Sequence, residues 1–135
     1  MKKVLIDTDI LSYYLFKEYS ILKQNFENYL NSEGFVYIGR PTIFEVESGL
    51  KAKNASAQLT KFYGFIAHQQ ILEITATSAQ LSADMYAHLH QIGKHSGVND
   101  LYLAGIAQAN NLSICTNNEK DYAHISDLEI INWMK

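Results

Sequence analysis

The sequence predicts an α/β domain in which helices cover both faces of a mainly parallel sheet of about five strands. Short apolar runs recur along the 135 residues: Val4-Leu5-Ile6, Phe35-Val36-Tyr37-Ile38, Ile71-Leu72-Glu73-Ile74, residues 112–116 and Glu129-Ile130-Ile131. Between most of them lie stretches with helical spacing, long enough for the right-handed crossovers that parallel strands require. A hydrophobic fraction of 47% with a single proline supplies a sizeable core and excludes a disordered or linker-like chain. No repeat, low-complexity tract or Pro/Gly-rich linker divides the sequence, so residues 1–135 are expected to form one domain.

The first run lies between Lys3 and Asp7 and is apolar at consecutive positions, as in a strand covered on both faces. From Thr8 the spacing turns helical, with Ile10, Leu11, Tyr14 and Leu15 on one side. After a break near Tyr19-Ser20, a second helix carries Ile21, Leu22, Phe26, Tyr29 and Leu30. Asn31-Ser32-Glu33-Gly34 is a turn cluster ahead of the second strand. Arg40-Pro41 opens the next helix, with Pro41 expected at its first position, where its missing N–H would have no partner. Ile43, Val46 and Leu50 give that helix its inner stripe, and it is expected to fray over 51–54. Leu59, Phe62, Phe65 and Ile66 mark a helix over 55–67, followed by a strand at 71–74.

A long helix is expected from about Ser78, with Leu81, Met85, Leu89 and Ile92 facing inward and Gly93 ending it. After the polar loop from Gly93 to Gly97, Asn99 or Asp100 is expected to cap a helix running to Asn110-Asn111. Strands at 112–116 and 129–131 complete the sheet, and Trp133 and Met134 are expected to dock the C-terminus.

Eleven Lys and Arg against 14 Asp and Glu give a net charge of −3, which argues against tight nonspecific duplex binding. Nucleic acid stays open as a substrate, because cations can neutralise acids at a reaction centre. No apolar stretch reaches the roughly 18 residues of a membrane span. The N-terminus enters a strand without the apolar run of a signal peptide. Cys115 is the single cysteine, expected as a buried core thiol rather than a nucleophile. A soluble, cytoplasmic protein without membrane association is the expectation.

Ligands of open parallel sheets sit beyond the carboxyl ends of the strands, so polar residues just past a strand carry the information. Asp7 lies there after the first strand and Thr116-Asn117-Asn118 after the fourth; Glu45 and Asp100 are expected in first turns of helices starting at the same edge. Taken singly, each has a plainer role: Asp7 or Asp9 as a helix cap, Asp100 as another cap, Glu45 on a solvated face. Gly49, one turn after Glu45, suggests close approach by another segment, because glycine inside a helix costs about 1 kcal/mol relative to alanine. Three carboxylates in one place repel unless a cation or protons intervene. No Cys or His accompanies them at ligand spacing, and His88 and His90 face different ways on their helix. Hard oxygen ligands point to Mg²⁺ or Mn²⁺, ions suited to phosphodiester hydrolysis.

These residues resemble the PIN-domain ribonucleases, and within them the VapC-type toxins of toxin–antitoxin pairs. The resemblance runs over nearly the whole chain through Val4-Leu5-Ile6-Asp7-Thr8-Asp9-Ile10-Leu11, Thr42-Ile43-Phe44-Glu45-Val46-Glu47-Ser48-Gly49-Leu50, Val98-Asn99-Asp100-Leu101-Tyr102-Leu103-Ala104 and Ile114-Cys115-Thr116-Asn117-Asn118-Glu119-Lys120-Asp121-Tyr122. It implies a three-layer α/β/α PIN-like fold and a magnesium- or manganese-dependent endoribonuclease using water as nucleophile and one or two ions. Asp7, Glu45 and Asp100 would be the catalytic, metal-binding acids, with Thr116 supporting Asp7 and with Thr8 and Asp9 beside it. The fourth acidic place falls to Asn118, which brings no charge, or to Asp121. The resemblance also implies a homodimer and a VapB-like antitoxin whose helical tail covers the site.

Arg40, the only arginine, lies near the active edge and is the strongest candidate for RNA phosphate; Lys51, Lys53, Lys61 and Lys94 could border the path. Nine tyrosines and six phenylalanines suggest an aromatic partner surface. Asp7-Thr8-Asp9 also looks like the opening of a haloacid-dehalogenase-type phosphatase, but Leu11 and the short chain do not fit that family. A response-regulator receiver would need an acid after the third strand, where Thr75-Ala76-Thr77 stands. A PIN-like module that has lost catalysis is the remaining alternative, and the retained acids speak against it.

Overall fold

The computed structural model describes residues 3–135. Its sheet contains β1 (Val4–Ile6), β2 (Tyr37–Gly39), β3 (Gln70–Leu72), β4 (Ser113–Cys115) and β5 (Ile130–Ile131), all parallel, in the order β3-β2-β1-β4-β5. The helices are α1 (Thr8–Phe16), α2 (Ser20–Glu33), α3 (Arg40–Ala52), α4 (Ser56–Ile66), α5 (Ala76–Gln91) and α6 (Val98–Ala109), with a short 3-10 turn at Glu119–Asp121.

Alternation along β1 divides the core. Val4 and Ile6 point to the face covered by α1–α4, where they join Leu11, Phe26, Val46 and Phe62; Leu5 points to the other face, against Leu103 and Ala107 of α6 and Met85 and Leu89 of α5. The three-layer α/β/α arrangement follows, since the sheet is apolar on both sides. Trp133 docks the C-terminus as expected, its ring 5.3 Å from Phe26 and 5.2 Å from Tyr29, and Asn25 Nδ2 donates to its carbonyl at 2.9 Å.

Several boundaries differ from the sequence reading. β2 starts at Tyr37 rather than Phe35 and runs to Gly39, where a side chain would meet Leu103 of α6 at 2.6 Å from the Cβ position, and α3 begins at Arg40, which makes Pro41 its second residue rather than its first. β3 ends at Leu72, and Ile74 is exposed beyond the edge of the sheet. α5 begins two residues before Ser78, because Thr75 and Ser78 form a reciprocal capping box. α6 is capped by Gly97, not by Asn99 or Asp100, so Asp100 is the third residue of the helix. Glu45 likewise sits in the second turn of α3, not the first.

Gly105 seats α6 against α5. A Cβ at this position would lie 2.1 Å from Ser82 Oγ and 2.4 Å from the Ser78 carbonyl, so only glycine permits the crossing. Ser82 Oγ bridges the pair by donating to the Leu101 carbonyl at 2.8 Å, one residue beyond Asp100. The expected close approach at Gly49 is not found: nothing lies within 4 Å of its Cβ position, and it borders an open hollow with Val46, Leu50 and Lys53.

Candidate active site

The strand order reverses direction at β1. The chain proceeds from β1 outward to β2 and β3, then returns to place β4 on the other side of β1. The crevice beyond the carboxyl ends of β1 and β4 is therefore the topological switch point of the sheet. Ile6 pairs with Cys115, and the next residues are Asp7 and Thr116. The Asp7 N–H continues the ladder to the Cys115 carbonyl at 2.9 Å, and Thr116 Oγ1 donates to Asp7 Oδ2 at 2.7 Å. Strand register alone fixes this contact between residues 109 apart in sequence.

Asp7 is the N-cap of α1, its Oδ1 accepting from the Thr8 N–H at 2.8 Å. The capping role and the site role coincide: one oxygen is held by the helix and the other by β4. Only 5% exposed, Asp7 has its pKa raised chiefly by burial, while the bonds from Thr116 and Thr8 favour the ionised form. Asp9 points across the same edge, with Oδ1 on the Ile10 N–H at 2.7 Å and Oδ2 on the Asn117 N–H at 3.1 Å. Burial and the Asp7 charge push its pKa up to about 6. Asp9 thus ties the loop after β4 to α1.

Glu45 enters from α3. Thr8 Oγ1 lies 3.0 Å from Glu45 Oε1 and 3.1 Å from Thr42 Oγ1, which links α1 to α3. Asp100 enters from α6 and borders an open hollow with Glu45, Gly97, Val98 and Asn99. Its pKa is pushed up to about 6, first by burial, then by Asp7, Asp121 and Glu45. Asp100, Asp7, Glu45 and Asp121 therefore share one electrostatic neighbourhood. Asp121 acts on both Asp7 and Asp100 from the 3-10 turn, whereas Asn118 is exposed and reaches the site through its backbone N–H, which donates to Thr116 Oγ1 at 3.0 Å.

The sequence carries Tyr122 only as the last residue of the Ile114-to-Tyr122 segment, and the structure puts its hydroxyl among the acids. The side chain is fully buried and donates to Asp100 Oδ1 at 3.2 Å. Burial and the adjoining carboxylates raise its pKa. A polar tyrosine directly after Asp121 was the available signal.

The basic candidates stand differently. Arg40 is paired through its guanidinium with Glu73, Nε to Oε1 at 2.9 Å, on the surface. Lys61 donates to the Leu15 carbonyl at the end of α1. Lys51 and Lys53 are exposed at the far end of α3, about 9 and 12 Å along the axis from Glu45. Cys115 is buried as expected, its thiol pushed up to about 12 by burial.

Among the described residues, no three His, Cys, Asp or Glu side chains already stand close enough to grip one ion. Both oxygens of Asp7 and one oxygen each of Glu45 and Asp100 accept from protein donors instead. The donor set nevertheless suits a hard divalent cation: it is all oxygen, it is open at the hollow, and the neighbouring carboxylates add to burial in raising the Asp100 pKa, a repulsion that a cation would relieve.

The PIN domain family model matches residues 4–128. The chain is 28% identical over 132 residues to ribonuclease VapC2 of Rickettsia felis, covering 97% of this chain and 98% of that protein. It is 26% identical over 134 residues to the tRNA(fMet)-specific endonuclease VapC of Shigella flexneri, covering 98% and 99%. The crystal structure of VapBC2 from Rickettsia felis bound to a DNA fragment from their promoter superposes with a TM-score of 0.87 and 26% identity, covering 96% of this chain and 98% of that one. Among the described residues, no helix is long and apolar enough to cross a membrane.

Proposed function

The chain belongs to the PIN domain family, and from that premise we propose that it is an endoribonuclease, the toxin of a VapBC-type toxin–antitoxin pair. It hydrolyses RNA phosphodiester bonds with water as nucleophile and depends on Mg²⁺ or Mn²⁺, one ion or two. The observation that carries this reading is the meeting of Asp7, Glu45, Asp100 and Asp121 at the switch-point edge. Support comes from the ribonuclease and endonuclease relatives over nearly full length.

Asp7, Asp100 and Glu45 would hold the cation, with Asp121 in the fourth place in preference to the uncharged Asn118. Such a cation supplies a lowered pKa for its water and charge stabilisation for the phosphate. The protein's own part is positioning. The bonds from Thr116 and the Thr8 N–H favour the ionised form of Asp7 and aim it, Thr8 Oγ1 holds Glu45, and Asp9 fixes the loop that carries Asn117 and Asn118. Lys51 and Lys53 are proposed to meet RNA phosphates; Arg40 can do so only by leaving Glu73.

The proposed partners are a VapB-like antitoxin and a second copy of the chain, in line with the VapBC neighbour. Tyr13, Tyr14, Phe16, Tyr19 and Phe65, with Lys17, Lys23, Glu27 and Lys61 among them, line a hollow between α1, α2 and α4 that offers a mixed aromatic and charged surface to a helix. We assign the protein to the cytoplasm, where the buried Cys115 stays a free thiol. The test is cleavage of total cellular RNA by wild type and Asp7→Asn, with Mn²⁺ and with EDTA. Fragments that need Mn²⁺ and are missing with Asp7→Asn are expected; equal cleavage by the variant, or none by wild type freed of any co-purifying protein, contradicts the proposal.

A further inference from the structure

Among the described residues, Tyr122 is the largest fully buried side chain, packed on the α5–α6 side of the sheet with Leu5, Leu103 and Ile114. A phenylalanine would fill that slot without bringing a polar atom into the core, and a buried hydroxyl is tolerated only where it finds a partner. The Tyr122 hydroxyl donates to Asp100 Oδ1 at 3.2 Å and also faces the Asp7 carboxylate. The Tyr122 N–H is itself pinned to the Glu119 carbonyl at 3.1 Å, so the ring hangs from the 3-10 turn that also carries Asp121.

Asp100 has reason to move without this contact. It faces three other carboxylates, it heads a helix that Gly97 already caps, and the hollow beside Gly97 and Val98 opens a route to water. We infer that Tyr122 is a positioning residue: its buried hydroxyl holds the Asp100 carboxylate turned inward toward Asp7, so that the two acids converge before any cation arrives. The bond occupies Oδ1 and leaves Oδ2, on the Gly97 side, for a ligand. The inference about Asp100 geometry stands on the contact itself; its consequence for metal affinity rests on the proposed function.

The test uses Tyr122→Phe, which removes one oxygen and keeps the buried ring. Two readouts are taken: the crystal structure of the metal-free variant, and Mn²⁺ affinity by calorimetry beside wild type. Asp100 is expected to leave its inward rotamer, and Mn²⁺ to bind about 10- to 100-fold more weakly, the usual loss for a partner that orients a metal ligand. Asp100 unmoved in the variant overturns the inference, whatever the affinity. Should wild type bind no Mn²⁺, the metal reading falls and the position of Asp100 alone decides for or against Tyr122. If the variant does not crystallise, unchanged Mn²⁺ affinity in the two proteins overturns it.

Discussion

The inner wall of the acidic site and its outer rim are built by different means. On the inner wall, Asp7 is 5% exposed and both of its oxygens are held, one by α1 and one by Thr116. On the rim, Glu45 and Asp100 border an open hollow, each held by a single hydroxyl, and Asn118 is exposed. The wall is a consequence of strand register and helix capping, so it persists as long as the sheet does. The rim depends on side-chain hydroxyls of Thr8 and Tyr122, and it is where the proposed cation would relieve the charge crowding. A site of this kind keeps one acid as a fixed anchor and lets the others adjust around what binds.

Breaking the anchor has the largest expected effect. Asp7→Asn keeps the volume and an oxygen for the cap but removes the charge at the centre. RNA cleavage is expected to fall at least about 100-fold, beyond the range for a residue that only orients a ligand, with the circular dichroism spectrum unchanged. Thr116→Val comes next, since it strips the buried carboxylate of one donor. Cleavage should drop about 10- to 100-fold, and denaturant unfolding should show a loss of about 1–3 kcal/mol.

The rim is sharpened by pH. Asp9 and Asp100 titrate near 6 in the folded chain, against about 3.9 when unfolded. The folded state therefore binds these protons more tightly, and the stability they allow is complete below about pH 4 and is lost as pH climbs through 6. In EDTA, Asp100→Asn is accordingly expected to melt a few degrees above wild type at pH 7.5, with the gap closing towards pH 4. A variant that melts lower at pH 7.5 would remove the charge crowding from the account. The smallest effect belongs to Arg40→Ala, which breaks only the exposed pair with Glu73; unfolding should change by less than about 1 kcal/mol.

Much of the wall was legible in the sequence. Apolar runs locate β1 and β4, and the place of ligands just past strand ends in a parallel sheet points to Asp7 and Thr116. Asp100 and Glu45 were found by residue type, but their local settings were misjudged. Capping preference favours Asn or Asp over Gly, yet the chain caps α6 at Gly97 and frees Asp100 for the site. Gly39 and Gly105 mark real close approaches while Gly49 marks none, and a glycine gives no clue in sequence to what lies opposite it. Arg40 was singled out for its charge, and only the fold shows that β3 delivers Glu73 to it. The 3-10 turn brings Asp121 toward Asp7 and Asp100 and leaves Asn118 exposed, a path that three residues of sequence do not dictate.

The most direct test of a cation-gathering wall and rim is thermal melting of wild type, Asp7→Asn and Asp100→Asn at pH 7.5, with EDTA and with saturating Mn²⁺. Binding to the folded state alone adds about 2.7 kcal/mol at 100 times the dissociation constant. The account predicts a clear rise in the wild-type melting temperature with Mn²⁺ that both variants lose. A rise of equal size in all three proteins would contradict it.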